Sequence, residues 1–324
     1  MSAFDLRHFG IHIIDTGFGG ELFDASYLLV ERGRAAFIDT GTNAAVPRLL
    51  AVLDIEGLDR SAVDFVIATH VHLDHAGGVG VLMRELPQAK LVIHPRGARH
   101  MIDPAALMQG VRAVYGDDVA ARDYGELVPV DAQRVIATSD GMTIELGGRP
   151  LVFIDTPGHA RHHHCIWDEC SRGWFTGDTF GLAYPSLLTP NGPYILPSTS
   201  PVQFDPGALR HSVARLLERK PERMYLTHYG AVLNPERLAV QLLAQVDDMV
   251  DAARAVAKTP QRHDRLKHAF RNIYLGALRQ MGATASDERL EALLATDIEL
   301  NAQGVGVWLD NQALDTHKTN TRSQ

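Results

Sequence analysis

The chain reads as an α/β protein: two β-sheets face to face with helices outside, in four αββα layers, followed by a helical C-terminal extension. Three observations carry this reading. Short apolar runs of strand length recur through the first two-thirds of the chain, and several end in histidine or aspartate. Stretches with apolar residues every three or four positions lie between these runs. After residue 233 the strand-like runs stop and helical periodicity takes over.

The first strand spans residues 9–17, with Ile11, Ile13 and Ile14 as its apolar members. Residues 25–30 and 35–39, on either side of Gly33, predict a hairpin. Val46, Leu49, Leu50 and Leu53 give residues 43–56 one apolar helix face. Residues 63–68 predict a buried strand, and 76–83 a turn followed by a helix. A further strand, 90–94, ends with His94 in front of Pro95. Residues 96–124 read as a loosely patterned helical insertion, and 142–154 as a hairpin about Gly147 and Gly148.

Residues 179–206 hold Pro185, Pro190, Pro193, Pro197, Pro201 and Pro206. Prolines stiffen a loop without giving it secondary structure. Asp205 and Pro206 open a helix through Leu209, Val213, Leu216 and Leu217. Asn234 and Pro235 are expected to cap the next, through Leu238, Leu242, Val246, Met249 and Ala253. Another carries Leu266, Phe270, Ile273, Tyr274 and Leu278, and the last starts at Ser286 and carries Leu290, Leu293 and Leu294. Residues 304–310 read as a short apolar end. The expected division is a site-bearing domain over 1–233, a helical extension over 234–311 and a polar, disordered tail over 312–324.

With 324 residues, 45% of them apolar and 22% charged, the chain can bury a sizeable core without covalent staples. Its net charge of −8 makes a nucleic-acid partner unattractive, because phosphate contacts need a basic face. Cys165 and Cys170 are too few for a disulfide framework, and their spacing is not that of a paired zinc motif. Idle thiols in a reducing compartment are the default. No apolar run reaches membrane-spanning length, and residues 1–5 lack a basic-then-apolar signal. The expected location is therefore cytoplasmic, without a membrane partner. The expected partner is a small-molecule substrate, with a homodimer left open.

Between the strand at 63–68 and the helix after it, His70, His72, Asp74 and His75 fall within six residues. Residues two apart in extended chain point the same way, so His70 and His72 can grip one ion together. The turn at Leu73 can send Asp74 and His75 toward a second. Imidazole and carboxylate suit zinc, and also iron or manganese. A lone histidine here would read as a surface or capping residue, but four potential ligands in six positions are not the composition of an ordinary loop.

The H-x-H-x-D-H spacing resembles the metallo-β-lactamase superfamily of hydrolases, whose further ligands follow as His, Asp, His. Here His159 follows the apolar run 150–154, Asp178 follows Phe175, Thr176 and Gly177, and His228 ends the run 224–228. The resemblance implies the αββα metallo-β-lactamase sandwich, with every ligand at one sheet edge. It implies that His70, His72 and His159 hold a first metal, that Asp74, His75 and His228 hold a second, and that Asp178 bridges them. Two divalent ions are expected, Zn2+ first and Fe or Mn as alternatives, with a bridging hydroxide as nucleophile that Asp74 helps to orient. Asp39 is by resemblance a buried carboxylate that fixes the histidine loop; its other reading is a turn cap before Gly41. His163 matches the second histidine of the G-H-T-x-G-H signature of hydroxyacylglutathione hydrolases (glyoxalase II type), where it is a supporting residue. His162 stands where that signature has Gly. An extra metal patch of His162, His163 and His164 is the lesser reading, since the ligand set is complete without it.

Asp178 at the bridging place sets the chain apart from true β-lactamases of the family, which have Cys or Ser there. His72 sets it apart from the flavin-linked di-iron oxygen reductases, which have Glu. The implied activity is hydrolysis of a small-molecule thioester, ester or lactone, in a glyoxalase II-like or lactonase-like branch. The alternatives are a mononuclear iron dioxygenase resembling the persulfide dioxygenases, which use two His and one Asp, and a phosphodiesterase of the same fold. The substrate pocket is expected to be walled by the loop 180–204 and by the helical parts at 96–124 and 234–311. Tyr184, Tyr194 and Tyr229 are its aromatic candidates, each with an ordinary packing role as the alternative. Tyr229 leads them, because it directly follows His228 and can help steady an oxyanion. Lys258, Arg262, Arg265, Lys267 and Arg271 offer cations for an anionic substrate, or else form a solvated helix face.

Overall fold

A computed structural model describes residues 6–322, with the backbone alone at 114, 115 and 315–322. Residues 1–5, read above for a targeting signal, and 323–324 lie outside the described residues. By contact the described residues divide into two compact units: those up to 156, 162–177 and 219–233 form the first, and 157–161, 178–218 and those from 234 on form the second.

The described residues of the first unit form two six-stranded sheets. One contains β1 (Ile11–Asp15), β2 (Ala25–Glu31), β3 (Arg34–Ile38), β4 (Val63–Ala68), β5 (Lys90–Ile93) and β6 (Val135–Ala137), in that order. Its first three strands are antiparallel, and β3 to β6 run parallel. The other contains β7 (Thr143–Leu146), β8 (Arg149–Asp155), β9 (His164–Asp168), β10 (Gly173–Gly177), β11 (Arg223–Leu226) and β12 (Gly230–Leu233), again in chain order. Only β10 and β11 pair in parallel there.

Parallel neighbours need crossovers, and these put helices on the outer face of the first sheet. They are α1 (Val46–Ile55), the single turn α2 (Leu73–Ala76) and α3 (Val79–Glu85). Leu49, Leu53, Leu82 and Met83 from α1 and α3 share a buried cluster with Phe37, Val66 and Leu91 of the strands. Strand residues alternate in direction. Ile38, Ile67 and Val92 therefore belong to a different cluster, shared with Leu151, Phe153, Ile166, Phe175 and Tyr225 of the second sheet. The insertion between β5 and β6 holds α4 (Pro95–Ile102), α5 (Ala105–Tyr115), α6 (Asp117–Val119) and a π turn over Ala120–Tyr124.

The second unit contains α7 (Pro206–Glu218), α8 (Pro235–Val256), α9 (Arg262–Gln280) and α10 (Asp287–Arg322). Leu242 and Met249 of α8, Phe270 and Tyr274 of α9, and Leu294 and Ala302 of α10 are fully buried. The unit also takes in the proline-rich loop, because Tyr194, Ile195 and Leu196 are buried too. Tyr194 donates its hydroxyl to the Gln245 side chain of α8, which donates in turn to Ile195 O at 2.7 Å. Two sequence expectations are corrected. Asn234 does not cap α8 through its side chain but takes a left-handed conformation, with φ +59°. The apolar end at 304–310 and the tail from 312 are not separate pieces, because α10 runs through both to Arg322. Among the described residues, no helix is long and apolar enough to cross a membrane.

Candidate metal centre

In the first unit, β4 ends at Ala68, the chain bends at Thr69 and His70, and His72 is the extended N-cap residue of α2. His70 Nε2 and His72 Nδ1 stand 2.8 Å apart. Behind them lies Asp39, buried at the end of β3 with φ +54°. Its carboxylate accepts from Thr69 N–H at 2.8 Å, from the Thr69 hydroxyl at 2.9 Å and from the Thr227 hydroxyl at 2.8 Å. It also meets His75 Nδ1 at 2.8 Å. Asp39 is thus the carboxylate that fixes the histidine loop, beyond any role in the turn before Gly41. The bond to Nδ1 turns His75 Nε2 toward Asp74 Oδ2, 4.0 Å away.

His228 lies between β11 and β12. Its Nδ1 donates to Phe23 O at 3.0 Å, and its Nε2 is 3.4 Å from Asp74 Oδ2. The donor atoms of Asp74, His75 and His228 all lie within 4.8 Å of one another. Two imidazoles and a carboxylate, with the far nitrogen of each ring held by a hydrogen bond, form a donor set that fits a divalent zinc, iron or manganese ion.

His163 packs its ring on His70, centroids 4.8 Å apart, and its Nδ1 meets the Thr156 hydroxyl at 3.0 Å. Gly177 must be glycine beside it. Its φ is +46°, and a Cβ there would fall 2.5 Å from His163 Nε2 and 2.6 Å from Thr69 Oγ1. The His162 ring is 6.1 Å from that of His70 and 5.5 Å from that of His72. His164 Nδ1 meets the Thr138 hydroxyl at 2.9 Å, and burial pushes its pKa down to about 3. Among the described residues, none of these three histidines joins a group of donors close enough to hold an ion. His94 caps α4, accepting from Arg96 N–H, and its Nε2 meets Asp155 Oδ1 at 3.1 Å.

Asp24 escaped the sequence reading, since a lone Asp beside a glycine-rich turn reads as a turn residue. It is fully buried and accepts from the Thr16 hydroxyl. Burial pushes its carboxyl up to about 7, against the lowering effect of nearby His228 and His75.

In the second unit, His159 Nε2 is 3.6 Å from Asp178 Oδ2. Ser198, from the proline-rich loop, touches both residues. Its hydroxyl donates to Asp178 Oδ2 at 3.0 Å, and its carbonyl lies 3.3 Å from His159 Nδ1. No motif singled Ser198 out.

Tyr229 is half-buried, and the His228–Tyr229 peptide bond is cis. Burial first, then the carboxylates of Asp15, Asp24 and Glu21, push its phenol up to about 12, so it stays a neutral donor. Tyr184 and Tyr194 take the packing reading. Both are buried, and their hydroxyls go to Asp297 (3.2 Å) and Gln245, so they serve packing within the helical unit. Arg262, Lys267 and Arg271 pair with Asp310, Glu299 and Glu291 of α10, which fits the solvated-face reading.

A model of the metallo-beta-lactamase superfamily matches residues 14–228, from β1 to the last histidine of the site. The chain belongs to this superfamily. Its fold class is the αββα metallo-β-lactamase sandwich with C-terminal helices, as the crystal structure of the archaeal superfamily protein ST1585 from Sulfolobus tokodaii agrees. That structure matches with a TM-score of 0.65 at 24% identity, over 91% of this chain and 98% of the other. In sequence, the metallo-beta-lactamase fold-containing protein ST1585 of Sulfurisphaera tokodaii is 28% identical over 64% of this chain and 72% of its own length. The acyl-coenzyme A thioesterase MBLAC2 of Bos taurus is 31% identical over 51% of this chain and 53% of its own. The match thus spans about half the length of that superfamily member.

Proposed function

We propose that the chain is a metal-dependent hydrolase that cleaves a small-molecule thioester, ester or lactone at a dinuclear site, with Zn2+ as the ions. His70, His72 and His159 would hold the first ion, Asp74, His75 and His228 the second, with Asp178 shared between them. Such ions supply Lewis acidity and a nucleophile available near neutral pH. The chain's own residues supply the rest. Asp39 and the Phe23 carbonyl orient His75 and His228. Asp74, a quarter exposed beside His228, is the carboxylate suited to orient water and accept its proton. Tyr229, a neutral phenol, is suited to donate to the substrate oxygen.

The observation that carries this reading is the triad Asp74, His75 and His228, drawn together with both ring orientations fixed. A mononuclear iron dioxygenase of the persulfide type would have no use for that second triad. The thioester preference is supported by the likeness to an acyl-coenzyme A thioesterase. The test is metal content per chain after purification, followed by a panel of acyl thioesters, lactones and phosphodiesters. Two ions and thioester or lactone turnover are expected. One iron with oxygen uptake on a persulfide substrate, or turnover of phosphodiesters alone, would replace this reading by one of its alternatives.

A further inference from the structure

We propose that Asn301 of α10 is a positioning residue for His159 and Asp178, acting through Ser198, so that the helical extension sets how tightly the site holds its ions. This rests on the metal reading above. Ser198 touches both side chains, with its hydroxyl on Asp178 Oδ2 at 3.0 Å and its carbonyl 3.3 Å from His159 Nδ1. A proton held on Nδ1 leaves Nε2 as the coordinating nitrogen, and Nε2 is the atom facing Asp178. Residues 197–200 around Ser198 are in no helix or strand, and the nearest backbone pairing is the bridge between Leu182 and Leu196. Something else must hold it.

That role falls to Asn301. Its Nδ2 donates to Pro197 O at 2.9 Å, and its Oδ1 accepts from Thr199 N–H at 2.9 Å. A side-chain amide carries a donor and an acceptor in one plane. Here it bonds the carbonyl before Ser198 and the N–H after it, so the two peptide units flanking Ser198 are fixed together. The Thr199 hydroxyl adds a bond to Asn301 O at 3.4 Å. Asn301 is steadied in turn by Tyr274 of α9, whose hydroxyl accepts from Nδ2 at 2.8 Å. Asn301, Thr199 and Tyr274 are all buried.

A second observation points the same way. Gly304 lies three residues on from Asn301, on the same helix face. A Cβ at Gly304 would fall 2.3 Å from Thr199 Oγ1 and 2.8 Å from Ser200 O. Glycine is a poor helix former, and here its missing side chain is what lets α10 lie against the loop. A packing role alone would explain the burial. It would not explain why the clamped peptide units are those that carry Ser198.

The test uses the full chain, stripped of metal and titrated with Co2+, following both the binding isotherm and the visible absorption of the bound ion. Asn301→Ala, Ser198→Ala and Gly304→Ala should each weaken Co2+ binding about tenfold or more and shift the absorption bands. Ser198→Thr, which keeps the hydroxyl, should stay close to wild type. Leu290→Ala, buried in the first turn of α10, should lower thermal stability without moving the Co2+ affinity. Asn301→Ala and Gly304→Ala proteins that fold and bind Co2+ as wild type does would overturn the proposal. So would a Leu290→Ala protein that loses as much affinity, since the effect would then be general stability. Should Asn301→Ala fail to fold, Ser198→Ala and Gly304→Ala decide. A wild-type chain that takes up no Co2+ sinks the metal reading itself, and this inference with it.

Discussion

At Asp39, two carboxylate oxygens serve Thr69, Thr227 and His75, so one side chain ties the end of β4, the end of β11 and a ligand ring together. Asp39→Ala should weaken the second ion about ten- to a hundredfold and leave the first less affected, as equilibrium dialysis would show. Tyr229→Phe should lower kcat/KM roughly tenfold with both ions retained; an unchanged rate would remove the phenol from the reaction. His164 has a pH consequence. Its pKa falls from 6.5 in the unfolded chain to about 3 in the buried site. Above 6.5 both states are neutral. Below it the unfolded chain takes a proton that the folded chain refuses, so stability drops across the window from 6.5 to about 3. His164→Gln should flatten that part of the stability profile, measured by urea unfolding of the metal-free chain at several pH values. The candidate ligands were legible in sequence because their motifs are local and sit at strand ends. Ser198 and Asn301 were not, because each takes its meaning from a partner far along the chain, and Asp24 was not, because beside a glycine-rich turn it reads as a turn residue.

Among the elements, β9 illustrates what the apolar pattern hides. All five of its residues are buried, yet the strand begins with His164 and ends with Asp168. Asp168 is matched by Arg149 of β8, which reaches it through two nitrogens, and by the Ser171 hydroxyl. A buried ion pair with hydrogen bonds on both partners lets a strand carry charge inward, and apolar periodicity does not see it. Asp168→Ala leaves the Arg149 guanidinium buried without its carboxylate, and should cost about 3–5 kcal/mol of stability. By contrast Glu291→Ala removes the exposed pair with Arg271 and should cost about 1 kcal/mol at most. Thermal unfolding of the two variants side by side would check the ranking. The strands β4 and β5 and the amphipathic helix α1 were legible, because uniform apolar runs and a helical stripe each have a single reading. Strands β6 and β12, of three and four residues, are too short to show a period.

On the scale of the whole molecule, the second unit is assembled from three stretches of chain, two of them interrupting the first. A division at residue 233 therefore does not isolate a self-sufficient domain. Truncation there would strip Tyr194, Ile195 and Leu196 of α8 and leave them exposed. The 1–233 fragment should be aggregation-prone and bind the dye ANS, where the full chain does not. The same interleaving sets a clock during synthesis. Asn301 is made 104 residues after Pro197, the carbonyl it must meet. At about 5–20 residues per second, the proline-rich loop leaves the ribosome roughly 5–20 s before its clamp exists. For that interval an apolar loop is in the open beside a half-made site, and it is then that a chaperone would matter most to this chain.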